Sequence, residues 1–418
     1  MRSLLLVRNS VEHDARVLRA ARVAEQALGG TALVVGVESA GSPAGASSVE
    51  GVPVLRLPAR TPGLRLLARG LERVKGTPAR MALTSGARPS DPVAAAGPPP
   101  SLTLSGRLRR IIRGLSFLRQ AILVARRTRP KLVQANDWNT MWTGLAIKLG
   151  CGSQLVYDSH ELWADRNGRW EWRPWLLASE ALFVRAADEV VTSSSGYADT
   201  LARRYRTRRP AVIRNIPQPA ASESRPSPPR SDPPRVVYIG GLMPGRGLEQ
   251  MIDALPHLPR VHLCMVGPGA PNYRSSLLAR AQAAEVGERI ELRAPVAPGE
   301  VRGVLAGAAA GLCLIQPICR SYELCLPNKL FEYAAAGIPV LASDVPGIAA
   351  VVRDEGLGEV VSCSDPLAIA TGLQRLLAPA IWRRAAEHAC LFAETNSWHD
   401  EAASLSGVYR RAGSAIAP

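Results

Sequence analysis

The sequence predicts an α/β protein made of two facing, doubly wound domains with a cleft between them. Three observations carry that expectation. Short apolar runs alternate with amphipathic helical stretches almost from the first residue. The alternation halts at PQPAASESRPSPPRSDPPR, residues 217–235, and then restarts. The chain of 418 residues is also long enough for two separate cores.

Taken in order, SLLLV reads as a strand, and a helix follows within RNSVEHDARVLRAARVAEQALGG. Val17, Leu18, Ala21, Ala24 and Leu28 share one face of that helix, and Gly29-Gly30 closes it. TALVVGV is the next strand, which completes a βαβ opening and calls for a parallel sheet. KLVQAND, QLVYDSH, DEVVTSS and PAVIRN continue the strands, with helices expected at 138–149, 175–186 and 196–205. Pro and Ser with almost no large apolar groups make 217–235 a linker. Beyond it RVVYIGG, VHLCMVG, RIELRAP, AGLCLI, PVLAS and GEVVS alternate with helices at 248–255, 273–286, 299–308 and 328–336. The expected domains are therefore 1–216 and 236–380, with a helical C-terminal segment over 381–418. Residues 58–115 break the pattern and read as a basic insertion in the first domain.

Mean hydropathy near zero and 47% hydrophobic residues describe a soluble globular protein. MRSLLLVRNS has too short an apolar run for a signal peptide, and no stretch reaches the ~18 apolar residues of a spanning helix. The expected location is cytoplasmic, with a peripheral position on the inner face of the membrane open through the basic segment. Seven cysteines without a C-x-x-C pair and six scattered histidines suggest reduced thiols and no metal site. Residues 60–131 hold sixteen Lys and Arg against Glu72 and Asp91, a net of +14 out of the chain's +16. Phe117 is their single aromatic, which argues against nucleic acid. GRLRRIIRGLSFLRQAILVARR suits an anionic membrane surface or a solvated basic face. Trp163, Trp170, Trp172 and Trp175 suit sugar stacking, a membrane interface, or the packing of an irregular loop.

Two stretches carry chemistry. In VVYIGGLMPGRGLEQMIDAL, Gly240 and Gly241 end a strand where a ligand can approach the backbone, and Arg246 offers a fork of donors before the next helix. In ELCLPNKLFEYAAAGIPVLASDVPG, Pro327 suits a helix start and Asn328 can cap it. Lys329 adds a cation where the helix dipole favours an anion, a placement that a bound phosphate would reward. Glu332, one turn on, can accept two hydrogen bonds from a ribose diol.

This pair of motifs resembles the donor half of GT-B retaining glycosyltransferases of the GT4 type, whose two domains are Rossmann-like. In that family a Gly-Arg-Leu-x-x-x-Lys-Gly loop grips the sugar-nucleotide diphosphate. Here Gly241 stands at the Arg position and Arg246 at the Lys position. The family's ribose-binding Glu matches Glu332. Its earlier Glu falls at Leu324, with Glu323 one residue away. LPNKLFEY resembles members in which Pro-Asn-Lys precedes the ribose Glu, so Lys329 would restore the missing cation. The resemblance implies a nucleotide-diphosphate sugar donor, bound by Gly240, Gly241, Arg246, Asn328, Lys329, Glu332, Glu323 and Asn215. It makes His160 in YDSHELW the residue facing the donor sugar, and Asp14, Arg16 and Glu161 acceptor contacts or loop braces. The catalytic set is His160, Arg246 and Lys329. The acceptor is a glycan, a lipid-linked saccharide or a small molecule, and neither metal nor other cofactor is expected. A GT-B sugar-nucleotide epimerase and a non-catalytic, basic membrane-surface protein remain as competing readings.

Overall fold

The structure is a computed structural model and describes residues 3–12, 14–59, 103–217 and 232–414. The chain divides into two units. One runs to Tyr157 and includes Gly168–Asp188 and the chain end from Ala412; the other comprises Asp158–Asn167 and Glu189–Arg411.

In the first unit the apolar runs become β1 (Ser3–Leu6), β2 (Ala32–Val37), β3 (Gly45–Val49), β4 (Val52–Leu57), β5 (Leu132–Asn136) and β6 (Gln154–Ser159). Their order is β3-β4-β2-β1-β5-β6. β1 pairs in parallel with both β2 and β5, so the winding reverses between β1 and β5. Leu4, Leu5, Leu6, Val34, Val35, Leu132 and Val133 are all buried, as runs covered on both faces must be. The helix Ala15–Leu28 is capped by Asp14, whose carboxylate accepts from the Val17 amide at 3.1 Å.

Two features differ from the sequence reading. β3 pairs antiparallel with β4 across a tight turn in which Glu50 and Gly51 both take positive φ, 49° and 82°. β3 is exposed and lacks an alternating pattern, which is why hydropathy does not reveal it. Residues 104–115 open a 25-residue helix, Leu104–Thr128, that leads into β5 and packs on the helix Trp138–Cys151. Thr103 caps it, and Ile112, Phe117, Ala121 and Ala125 are its buried face. The rest of the expected insertion, residues 60–102, lies outside the described residues, as does most of the expected linker.

The second unit holds a short parallel pair, β7 (Glu189–Thr192) and β8 (Ala211–Val212), joined through the helix Ser195–Tyr205. Its main sheet contains β9 (Arg235–Ile239), β10 (His262–Val266), β11 (Ile290–Arg293), β12 (Ala310–Cys313), β13 (Val340–Ser343) and β14 (Gly358–Val361). The order is β11-β10-β9-β12-β13-β14, with every pairing parallel. Winding reverses between β9 and β12, so the carboxyl ends of these strands frame the crevice where such sheets take ligands. An apolar cluster covers each face of the sheet. At Gly311 on β12, an added Cβ would stand 2.3 Å from the Tyr333 ring. Only glycine lets the helix Asn328–Ala335 lie this close to the sheet.

Candidate active site

The carboxyl end of β9 runs into Gly240-Gly241, and the helix Asn328–Ala335 points its first turn at the same place. Pro327, not Asn328, is the capping residue; Asn328 is the first helical residue and is exposed. The extended backbone that proline favours sets the chain's entry into the helix, and no side chain caps the amides of the first turn.

Lys329 is the centre of the arrangement. The residue is 7% exposed, and its Nζ has no hydrogen-bond partner among the described residues. The ammonium lies 3.5 Å from the centroid of the Tyr238 ring, an attraction that compensates only part of the lost hydration. Gly240 has φ +124°, and a Cβ there would lie 3.6 Å from Lys329 Nζ. The glycine therefore keeps open the space in front of the ammonium. Tyr238 is held in place by donating its hydroxyl proton to the Gly241 carbonyl at 2.8 Å. Burial, opposed by the Cys313 thiol and reinforced by Arg246, lowers the Lys329 pKa to about 7.

Arg246 stacks over the Tyr322 ring at 4.5 Å. Its positive field opposes that of Lys329, while Glu332, half-buried one turn into the helix, favours the ammonium. Two cations, a glycine turn and a helix N-terminus thus converge at the switch point of the sheet. Such a set can neutralise a bound polyanion such as a diphosphate.

The segment after β6 belongs to the same unit. The Ser193 hydroxyl donates to the His160 carbonyl at 2.9 Å, and that of Thr192 to the Ser159 carbonyl at 2.6 Å. The turn Trp163–Asp165 packs on Arg320–Glu323, and the Glu161 carboxylate favours the charge of Arg246. Glu161 is exposed and His160 half-buried.

Other expected residues are placed differently. Glu323 is ion-paired with Arg320 at 2.6 Å, while the Leu324 carbonyl accepts from Ser194 at 2.7 Å. Asn215 follows β8, beside Arg214, whose guanidinium is bound to Glu401 and Asn396. In the first unit Asp14 is engaged as the helix cap and by Asn9 at 2.7 Å, and Arg16 is buried.

Sequence reasoning missed four contributors. Ser194 and Tyr197 tether the segment before Pro327, with the Tyr197 hydroxyl donating to the Ser321 carbonyl at 2.7 Å. Tyr238 and Tyr322 supply the ring faces beneath the two cations. The Ser-Ser-Ser-Gly run at 193–196 was the one available signal. A tyrosine within a strand carries none.

Residues 233–379 match the family described as Glycosyl transferases group 1, and residues 63–217 match Glycosyltransferase Family 4, together most of the chain. A D-inositol 3-phosphate glycosyltransferase of Streptomyces bingchenggensis is 28% identical over 258 residues, 56% of this chain and 55% of that one. The match thus spans little more than half of that relative. A glycogen synthase of Mycobacterium tuberculosis is 26% identical over 296 residues, 67% and 69% of the two chains. Among solved structures, a sucrose-phosphate synthase from Thermosynechococcus elongatus superposes with a TM-score of 0.75 at 18% identity, covering 99% of this chain and 100% of that one. HepE of Anabaena, solved with UDP-glucose, gives 0.66 at 14% identity, with 100% of both chains covered. The fold is the GT-B fold of two Rossmann-like domains, and the chain belongs to the group 1, GT4-like glycosyltransferases.

Proposed function

We propose that the protein is a retaining glycosyltransferase that moves a hexosyl group from a nucleotide-diphosphate sugar to an acceptor. The observation that carries this reading is the buried Lys329 ammonium, held without a hydrogen-bond partner among the described residues at a helix start beside Gly240. Lys329 and Arg246 bind the diphosphate and stabilise the charge that grows on it as the bond to the anomeric carbon breaks. Glu332 accepts from the ribose hydroxyls, and His160 faces the sugar. Two fixed cations do the work a metal ion does elsewhere, so transfer is metal-independent. HepE's complex with UDP-glucose supports a UDP-sugar as the first donor to try.

The acceptor is a glycan, a lipid-linked saccharide or a small molecule received by the first unit. The enzyme works at the inner face of a membrane, a reading supported by the basic helix Leu104–Thr128. Leu104, Ile111 and Leu115 form an outward stripe on it, 83%, 50% and 55% exposed. Among the described residues no helix is long and apolar enough to cross a membrane.

The test is incubation with UDP-, GDP-, ADP- and TDP-sugars, with and without EDTA, reading nucleoside diphosphate release and the anomeric configuration of the product. Release from one donor, unaffected by EDTA and with retained configuration, is the expected result. Epimerised sugar nucleotide without transfer overturns it.

A further inference from the structure

At the switch point of the first unit's sheet lies a second concentration of positive charge. Arg8 lies two residues beyond the end of β1 and is half-buried. Its Nη1 is 3.7 Å from where a Cβ on Gly114 would stand, which places the Arg8 guanidinium against the helix Leu104–Thr128. Arg110 and Arg113 precede that glycine by one turn and one residue on the same helix. Arg110 lies over the Trp170 ring at 5.6 Å. Among the described residues, none of the three guanidiniums is held in an ion pair or a hydrogen bond.

Like charges do not gather at a strand end without cause, since each repels the others and the half-buried Arg8 also loses hydration. Burial and Arg113 both work against the charge on Arg8, with Glu171 the opposing carboxylate and Arg110 a further repulsive neighbour. Three cations facing one carboxylate leave about two positive charges, the complement of a phosphomonoester dianion near pH 7. Guanidiniums also present the planar donor fork that phosphate oxygens accept bidentately. The loop after β1 adds a strained residue, Val11 at φ +73°, a conformation that β-branched residues avoid and that clusters at ligand sites.

We propose that Arg8, Arg110 and Arg113 form a phosphate-binding site at the carboxyl edge of β1, and that the acceptor carries the phosphate. The second half of this statement rests on the glycosyltransferase reading; the first does not. The phosphate belongs either to a soluble phosphomonoester or to a lipid headgroup.

Equilibrium dialysis with radiolabelled inorganic phosphate tests the site on the full chain, in a Lys329→Met background that removes the other anion site. Arg8→Met/Arg113→Met is expected to weaken phosphate binding at least tenfold. Arg110→Gln/Arg113→Gln changes only exposed positions, so it keeps the test valid if the first pair fails to fold. Its expected loss is several-fold. Phosphate binding that is absent in the Lys329→Met protein, or unchanged by both arginine pairs, overturns the proposal. Sedimentation with phosphatidic acid vesicles, whose headgroup is a phosphomonoester, beside phosphatidylglycerol vesicles of equal total charge separates the two sources. A loss in the arginine variants that is larger on phosphatidic acid than on phosphatidylglycerol assigns the phosphate to a lipid headgroup, and an equal effect on the two lipids beside lost phosphate binding assigns it to a soluble acceptor; both support the site. Failure of the glycosyltransferase reading would show elsewhere, as no nucleoside diphosphate released from any donor, and would leave the dialysis result standing.

Discussion

Lys329 is costly to the empty protein. A protonated amine deprived of water destabilises the fold unless something compensates it, and the Tyr238 ring does so only in part. With the pKa lowered to about 7, the unfolded chain binds more protons than the folded one from there up to the ordinary lysine value. Stability therefore rises with pH across that window. Anion binding runs the other way. A bound diphosphate favours the protonated form, so complex formation takes up a proton above pH 7. Affinity for a nucleoside diphosphate should fall about tenfold per pH unit between pH 7.5 and 9. Calorimetry in two buffers of different ionisation enthalpy reads that uptake directly, and a flat profile removes Lys329 from the phosphate contact. Lys329→Met should raise the stability of the unliganded protein at pH 7 by about 1 kcal/mol while cutting turnover at least a hundredfold. Thermal unfolding and kcat decide both halves. Glu332→Gln should leave the fold intact and weaken donor binding about tenfold, the effect of one lost hydrogen bond to a charged group.

At the scale of elements, Gly311 and the helix Asn328–Ala335 depend on one another. Gly311→Ala puts a methyl group 2.3 Å from the Tyr333 ring and must push the helix off the sheet. Tyr333 bridges the Ile239 amide and the Leu312 carbonyl, so that shift also disturbs β9 and β12 beneath the site. The expected cost is about 1–3 kcal/mol of stability, with a rise in donor KM. Chemical denaturation paired with donor titration checks it; a destabilised variant with unchanged KM would mean that the site does not need this packing. The same element shows what could be read in the sequence and what could not. Lys329 and the glycine turn were legible as candidates because phosphate chemistry favours a cation and close backbone approach beside a helix start, and Glu332 because a carboxylate can accept from a ribose diol. The burial of Lys329 was not, since it follows from Gly311 and Tyr238, on two separate strands, meeting Tyr333 of the helix in space. Parallel strands were legible as apolar runs, whereas the β3–β4 hairpin, exposed and without alternation, left only Glu50-Gly51 as a trace. Val11, at φ +73°, had no signal at all, because β-branched residues rarely adopt that conformation.

Over the whole molecule, charge is concentrated in one stretch, and the described part of it is the helix Leu104–Thr128. That helix carries two apolar stripes. Ile112, Phe117, Ala121 and Ala125 face the unit's own core. Leu104, Leu108, Ile111, Leu115, Leu118 and Ile122 recur at alternating spacings of four and three residues, and three of them are exposed. No acidic residue occurs anywhere in the helix, so two copies packed along this stripe would set arginine against arginine. An anionic lipid surface meets both demands at once, accepting the apolar side chains and neutralising the arginines beside them. Exposed Trp172, on the loop that follows Trp170, suits the same interface. Ile111→Gln/Leu115→Gln leaves every charge in place and removes two apolar contacts, so it should weaken binding to phosphatidylglycerol vesicles about tenfold without altering donor affinity. Binding by the unmodified protein should also fall steeply between low and high salt, because about 1 kcal/mol per arginine is screened away. Co-sedimentation across a salt series measures both effects. Binding that ignores the two substitutions, or that is equal on neutral phosphatidylcholine, would show that the stripe does not meet lipid.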